Sequence, residues 1–341
     1  MSLNFTFQTT AEEVADVFAG EIRGKNVLIT GTSLDGIGFE AARVIAKYAN
    51  LVIITGYNAS RLQLSEEAIK RDVPTANIRR LTLDLSSLAA VRTAAAEVNA
   101  YPEALHVCPG YAAAAVTKFK VTVDNLENQM ATGHIGPFLF TNLLAAKILA
   151  SGSADYTPRV IFVASLGDGV DFATFAQPDP TKYISIFGPY NETKSANVLT
   201  TIELSKRSRG KINAYSLHPG LIYTNINHKE ESIAEFQEIG LLDENEGPNE
   251  SWVWKTIPQG AATTVTAAFD PSISGELQEC LSAAINHKFH TLDKPGAYLV
   301  DCQVANDKIA PHSSDPANAS RLWEVTEKVI TIRDPLVGHP T

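Results

Sequence analysis

Ten tyrosines occur in the chain, and only Tyr190 has a lysine four residues later, Lys194. On a helix that spacing puts both side chains on one face. A free phenol, with a pKa near ~10, is a poor acid or base at neutral pH, and a nearby ammonium lowers that value by favouring phenolate. The pair is therefore a candidate proton donor or acceptor with its own tuning group. Taken alone, it is also what an ordinary solvated helix displays. Its surroundings have to decide.

Those surroundings alternate in a regular way. Short apolar, β-branched runs occur at Asn26–Thr30, Leu51–Thr55, Arg79–Leu83, Leu105–Cys108, Arg159–Ala164, Ile212–Leu217 and Ala297–Asp301. Between most of them lie amphipathic stretches such as Phe39–Tyr48, Arg61–Lys70 and Leu88–Val98. Nearly continuous apolar strands are buried on both faces, which predicts a parallel sheet covered by helices. The expected fold is α/β, a Rossmann-type doubly wound parallel sheet of about seven strands in a single domain. Residues 1–24 form a helical extension, with a helix over 10–19 capped by Thr10 and closed by Glu13. Residues 25–335 form the domain.

The first strand ends in Thr30-Gly31-Thr32-Ser33-Leu34-Asp35-Gly36-Ile37-Gly38 and runs into a helix. Glycines are needed where a turn takes positive φ, where backbone approaches a pyrophosphate, and where helix packs closely on strand. The helix then offers N–H groups and a positive dipole end to phosphate. A glycine cluster alone is weak evidence; its place between the first buried strand and a helix makes it a dinucleotide site candidate.

Several stretches together resemble the short-chain dehydrogenase/reductase family, over roughly residues 24–330. The glycine loop is similar to the family's TGxxxGxG fingerprint, with one residue more between Gly31 and Gly36. Tyr190-Asn191-Glu192-Thr193-Lys194-Ser195-Ala196-Asn197 looks like the YxxSKxAN block of the retinol dehydrogenase-like and WW-domain oxidoreductase-like members. The resemblance implies that Ser165, closing the run Val163-Ala164-Ser165, donates to the substrate oxygen. Tyr190 would move the proton, and Lys194 would tune Tyr190 and hold the cofactor's ribose. Leu217-His218-Pro219-Gly220-Leu221-Ile222-Tyr223-Thr224 resembles the HPGxxxT stretch, which implies a hold on the nicotinamide carboxamide by Pro219, Gly220, Ile222 and Thr224; His218 is read as structural. Asp84, followed by Leu85, matches the aspartate on the adenine side, with Asp84 or Ser86 as a plain helix cap the competing reading. Leu322-Trp323-Glu324 is similar to the C-terminal helix of the same members.

Two positions depart from the pattern. The fourth strand ends in Cys108-Pro109-Gly110-Tyr111 in place of Asn-Asn-Ala-Gly, so that only Gly110 keeps a backbone role beside the cofactor. In Thr132-Gly133-His134-Ile135-Gly136-Pro137-Phe138 the catalytic asparagine is Gly133. The family uses the main-chain carbonyl at that position to hold a relay water. Pro137 cannot donate to the Gly133 carbonyl, which is expected to leave the relay in backbone form. His134 is read as packing first.

The adenosine ribose is normally read at the end of the second strand. Here Thr55-Gly56-Tyr57-Asn58-Ala59-Ser60-Arg61 has no carboxylate for the two ribose hydroxyls. Ser33 and Arg61 remain to meet a 2′-phosphate, so NADP is expected over NAD. The expected cofactor contacts are Gly31, Ser33, Leu34, Gly36, Ile37, Gly38, Tyr57, Asn58, Arg61, Asp84, Leu85, Gly110, Tyr190, Lys194, Pro219, Gly220, Ile222 and Thr224.

Composition bounds the remainder. The chain has 341 residues, 45% of them hydrophobic and 19% charged, with a formal charge of −10. That charge offers no footprint for nucleic acid or an anionic membrane. Cys108, Cys280 and Cys302 are too few and too scattered for a disulfide framework or a metal cluster, and are expected as reduced thiols. The start MSLNFTFQTTAEE has neither the basic nor the apolar block of a signal peptide. The longest apolar stretch, near Phe138–Ala150, is too short to cross a bilayer, and a cytoplasmic setting is expected. The acidic, irregular stretch 225–255, with Phe236, Trp252 and Trp254, reads as a substrate-side insertion, either a lid or a solvated excursion. The expected activity is NAD(P)-dependent interconversion of a carbonyl and an alcohol on a hydrophobic substrate, with no metal. The rivals are a redox-silent isomerase, dehydratase or cyclase using Tyr190 as acid/base, and a non-catalytic nucleotide-binding protein. Family members often pair through the helices carrying Gly133 and Tyr190, which implies a homodimer.

Overall fold

The strands form where the apolar runs are, because each can be buried on both faces only inside a sheet. The computed structural model describes residues 4–110, 118–165, 167, 169–175, 178–182, 185, 187–224, 227, 230–274 and 296–332. The strands are β1 (Asn26–Ile29), β2 (Leu51–Gly56), β3 (Ile78–Thr82), β4 (Val107–Gly110), β5 (Arg159–Val163), β6 (Asn213–His218), β7 (Tyr298–Val300) and β8 (Gln303–Val304). Their order is β3-β2-β1-β4-β5-β6-β7-β8. The first seven pair in parallel and β8 pairs antiparallel with β7. The expected doubly wound sheet is present, with a short eighth strand that the sequence reading did not anticipate. Two exposed residues after a tight turn carry no periodic signal.

The order reverses between β1 and β4, which makes the C-terminal ends of these strands the crevice of such a sheet. Helices α1 (Ala11–Val17), α2 (Ala19–Ile22) and α3 (Ile37–Ala46) come from the first part of the chain. Then follow α4 (Ala59–Asp72), α5 (Leu88–Ala100), α6 (Asn128–Met130), a π-helical turn Ala131–Ile135 and α7 (Gly136–Leu149). The second half supplies α8 (Phe187–Ser208), α9 (Glu230–Glu238), α10 (Ile257–Phe269), α11 (Pro311–Ser314) and α12 (Pro316–Ile332). One face of the sheet is covered by α1, α3 and α10, whose Val14, Ile45 and Val265, with Phe18 between α1 and α2, share a core with Ile29 and Tyr215. On the opposite face α5, α7, α8 and α12 bury Val98, Phe138, Leu199 and Leu322 against Phe162 and Tyr298.

Local departures from the sequence reading have local causes. Thr10 caps α1 with the expected capping box to Glu13, but the helix breaks at Phe18 (φ −96, ψ 21), giving two short helices in place of one over 10–19. Strand β4 runs through Pro109 to Gly110, two residues beyond the expected Leu105–Cys108. Pro109 is tolerated because β4 pairs with β1 only at Val107, whereas its pairing with β5 continues to Gly110. Cys108 and Cys302 are buried free thiols; Cys280 and Tyr111 lie outside the described residues.

Candidate functional site

Strand β5 delivers Ser165 two residues past its end, and α8 delivers Tyr190 and Lys194 to the same place. Gly167 makes this approach feasible: a Cβ there would lie 2.4 Å from Ser195 Oγ and 2.6 Å from the Asn191 carbonyl oxygen. The Gly169 N–H then donates to the buried Ser195 Oγ at 2.8 Å, which pins the loop after Ser165 onto α8. On the far side the Tyr298 hydroxyl donates to the Ser165 carbonyl at 3.2 Å.

The Ser165 hydroxyl faces the Tyr190 phenol, and their polar contact pulls the phenol's pKa down. Burial pushes it up by more, and the net direction is upward. The expectation that the neighbouring ammonium would lower Tyr190 is therefore not met in this chain by itself. The reason is geometric as well as dielectric. Lys194 Nζ stands 5.3 Å from the centre of the Tyr190 ring and donates to the Val163 carbonyl at 3.1 Å. Burial lowers Lys194 itself to about 8.

The turn with Gly133 packs against α8. Residues Ala131–Ile135 are π-helical, and the Gly136 N–H reaches back five residues to Ala131. The Gly133 carbonyl would need the N–H of residue 137 to close an α-helical bond, and that residue is proline. Single π-turns of this kind cluster at functional sites. Gly136 is required for packing, since a Cβ there would meet the Leu85 carbonyl oxygen at 2.4 Å. His134 is fully buried, its Nε2 is 3.0 Å from Thr326 Oγ1, and burial lowers its pKa to about 3, in keeping with a packing role.

The glycine loop is held from below by Thr32, whose N–H and hydroxyl both donate to the Thr55 carbonyl at 3.1 Å. Gly31 has φ +67, and Asp35 takes the left-handed conformation (φ 58) within the longer loop. A Cβ on Gly38 would lie 2.5 Å from the Gly31 carbonyl oxygen, so that only glycine lets the loop and α3 come so close. The N-cap of α3 is Gly36, which makes no side-chain cap, and Ile37 and Gly38 open the helix with their N–H groups toward the loop. Ser33, Gly56, Tyr57, Asn58, Arg61 and Leu62 line a small hollow at the end of β2. These features fit the pyrophosphate and adenosine ends of a dinucleotide.

Other expected contacts are in part otherwise engaged. The Asn58 carboxamide caps α4 by accepting from Arg61 N–H at 3.0 Å. Asp84 Oδ1 accepts from Ser86 N–H and Ser86 Oγ at 2.9 and 2.6 Å, while the cap of α5 is Ser87. Gly110 lies close to β5, where a Cβ would sit 3.2 Å from the Ile161 carbonyl oxygen. After β6, Pro219 is buried, Gly220 has φ +96, Ile222 bridges to Lys255, and Thr224 N–H donates to Asn227 Oδ1 at 2.9 Å. Leu34 stands on the glycine loop, before Gly36.

The stretch 230–254 packs over the start of α8. Phe236 and Leu242 are buried in a small cluster with Phe187, Tyr190, Tyr223 and Leu241, and the rings of Phe187 and Phe236 meet edge-on at 5.5 Å. Trp252 and Trp254 instead donate to the stretch's own backbone, at the Gly240 and Asn249 carbonyls. Trp252 is 48% exposed. The apolar surface beside Tyr190 thus comes from Phe187, Phe236 and Leu242. Sequence reasoning missed Phe187, Leu242, Tyr298 and Lys255, which reach the site only by tertiary packing; the one available signal was the phenol within the last apolar run, Ala297–Asp301. Among the described residues no helix is long and apolar enough to cross a membrane. Helix α12 lies along α8, with Ser320 Oγ donating to the buried Glu203 at 2.9 Å, so a pair of chains joined through that face of α8 would have to displace it.

The family model described as short chain dehydrogenase matches residues 25–234. A short-chain dehydrogenase TIC 32 A, chloroplastic, of Brassica napus is 31% identical over 332 residues, covering 94% of this chain and 93% of the relative. Retinol dehydrogenase 12 of Homo sapiens is 28% identical over 331 residues, covering 95% and 94%. Among solved structures, an uncharacterized protein from Mycobacterium paratuberculosis superposes with a TM-score of 0.61 at 21% identity, covering 92% of this chain and 96% of that one. A 3-oxoacyl (acyl-carrier-protein) reductase from Agrobacterium tumefaciens, solved with NADP bound, gives 0.55 at 18% identity, covering 75% and 91%. The glycine loop, the serine, tyrosine and lysine at one strand end, and these matches agree: the chain belongs to the short-chain dehydrogenase family, on its retinol dehydrogenase-like side.

Proposed function

We propose that this protein is an NADP-preferring oxidoreductase that interconverts a carbonyl and an alcohol on a bulky hydrophobic substrate. One observation carries the reading: β5 and α8 bring the Ser165 hydroxyl, the Tyr190 phenol and Lys194 together at the sheet's crevice, the phenol facing Ser165 and the amine 5.3 Å from its ring. A bound nicotinamide would supply or accept the hydride. Ser165 and Tyr190 hold the substrate oxygen, and Tyr190 gives or takes its proton. Lys194, which donates to the Val163 carbonyl here, would hold the ribose hydroxyls of a bound dinucleotide, and its ammonium would favour the phenolate. Phe187, Phe236 and Leu242 exclude water from the carbonyl and favour apolar substrates, and the stretch 230–254 acts as a lid over them. The hydrophobic emphasis agrees with the name of the retinol dehydrogenase relative. Buried free thiols suit a reducing compartment, and the cytoplasm is the simplest setting.

The direct test follows absorbance at 340 nm with NADPH and a panel of ketones and aldehydes of increasing size. Oxidation of NADPH that rises with apolar bulk supports the reading. Conversion of a substrate with no change in the dinucleotide would replace it with acid–base chemistry alone.

The preference for NADP rests on Arg61 and Ser33 at the hollow below β2, where no carboxylate stands. Arg61→Ala is expected to weaken NADPH binding about tenfold and NADH binding less than about twofold, since an exposed arginine contributes mainly through the 2′-phosphate. Equal loss for both would remove Arg61 from the discrimination.

The π-turn yields a separate expectation. If the carbonyl of Gly133 serves the relay, Gly133→Asn leaves turnover within about threefold and the pH–rate profile unshifted, because the side chain is not the working group. A large gain in turnover would show that the glycine had impaired proton supply.

A further inference from the structure

The turn after β6 rests on a lysine that no motif marks. A side chain at Gly220 would meet Lys255 Cδ at 2.7 Å, Cε at 3.1 Å and Cγ at 3.3 Å, so the lysine's methylene chain lies flat on that backbone. Lys255 is only 4% exposed. Its N–H donates to the Leu221 carbonyl at 2.8 Å, and it bridges in parallel to Ile222. The residue therefore extends the turn as a one-residue strand while its side chain supports it from behind.

The charged end is fixed from two other directions. Lys255 Nζ pairs with Asp301 Oδ1 at 2.5 Å and stands 4.7 Å from the centre of the Phe7 ring. Asp301 and Cys302 form the two-residue turn between β7 and β8, and both have positive φ, 51 and 63. Such a turn ordinarily takes Asn-Gly. Here two other residues accept the left-handed conformation, and the surroundings hold them there: Cys302 N–H donates to Thr263 Oγ1 at 3.1 Å, and Asp301 has Lys255. Backbone held in a sparsely populated conformation points to a role for what it positions. What this turn positions is a carboxylate on Lys255. Gly260 completes the arrangement, since a Cβ there would lie 2.6 Å from Ile222 Cγ1.

We propose that Lys255, locked by Asp301 and covered by Phe7, is a positioning residue that fixes the Pro219–Thr224 backbone for the nicotinamide end of the dinucleotide. This rests on the oxidoreductase reading above. The lysine acts through the turn and not on the cofactor, since its side chain lies beneath Gly220 and its ammonium is engaged. It follows that the N-terminal segment, which also meets the body through Gln8 on Gln259 and the Phe5 carbonyl on Gln303, contributes to cofactor binding at a distance.

The test separates the two halves of the cofactor. Dissociation constants are measured for NADPH and for 2′,5′-ADP, which lacks the nicotinamide, on the parent, Lys255→Met, Lys255→Arg and Phe7→Ala. Methionine keeps the packing on Gly220 and removes the charge. Lys255→Met is expected to weaken NADPH about tenfold and 2′,5′-ADP less than about twofold, with Lys255→Arg restoring most of the loss and Phe7→Ala giving a smaller loss of the same kind. Retained binding of 2′,5′-ADP shows that each variant is folded. Unchanged NADPH affinity in Lys255→Met, or equal loss for both ligands, overturns the positioning role. Failure of the parent to bind either ligand overturns the nucleotide reading itself.

Discussion

Replacing Tyr190 with phenylalanine should lower turnover by about a thousandfold or more and change dinucleotide affinity less than about threefold. The substitution is selective because the ring and the hydroxyl have different partners. The ring packs with Phe187, Phe236 and Leu242, and phenylalanine preserves those contacts. The hydroxyl meets Ser165, which is half-buried and can bond to solvent instead, so the fold should lose no more than about 1 kcal/mol. Nothing else of the triad is disturbed: Lys194 still donates to the Val163 carbonyl, and the Tyr298 hydroxyl still holds the Ser165 backbone. Single-turnover absorbance at 340 nm measures the chemical step, and quenching of the enzyme's fluorescence measures binding. A variant that retains a tenth of the parent's rate would show that the phenol does not carry the proton.

What the sequence told of this site, and what it withheld, divides along a physical line. Tyr190 and Lys194 share a helix face because a four-residue spacing dictates it, and the glycine loop is recognisable because Gly31 and Gly38 are required by backbone alone. Strand burial was legible for the same reason: β1, β2 and β5 are apolar over most of their length and are buried in full or nearly so. Local rules end where the dielectric begins. The spacing of Tyr190 and Lys194 says nothing of how far each is removed from water, and that burial reverses the expected direction of the phenol's shift. Lys255, Asp301 and Phe7 meet from three distant segments, so no window of sequence contains their contact. The extent of β4 has a related cause: it continues through Pro109 because the strand has already parted from β1 there and pairs on with β5 alone.

Replacing Lys194 with methionine should have two effects of opposite value, a loss of turnover of at least about a hundredfold and a gain in stability of the ligand-free protein. The gain follows from the burial of the amine, which is 3% exposed and held at about 8 against an ordinary value of 10.5. The folded pKa is below the unfolded one, so between about pH 8 and 10.5 the unfolded chain binds the proton more tightly and stability rises with pH. Below pH 8 the whole penalty is present, roughly 3 kcal/mol for a displacement of this size. Methionine removes it but leaves the Val163 carbonyl with only the long bond from Asn197 Nδ2 at 3.5 Å, which returns about 1 kcal/mol. The variant should therefore exceed the parent by about 2 kcal/mol at pH 7, and the advantage should vanish as the parent's amine loses its proton, by about pH 10. Urea unfolding of both proteins at pH 7 and pH 9.5 reads the difference directly. A methionine variant less stable at both values would mean that the amine is well solvated in the fold. A positive result would identify the cost that the fold bears to keep an ammonium beside the phenol, ready to exchange a carbonyl oxygen for ribose when the dinucleotide arrives.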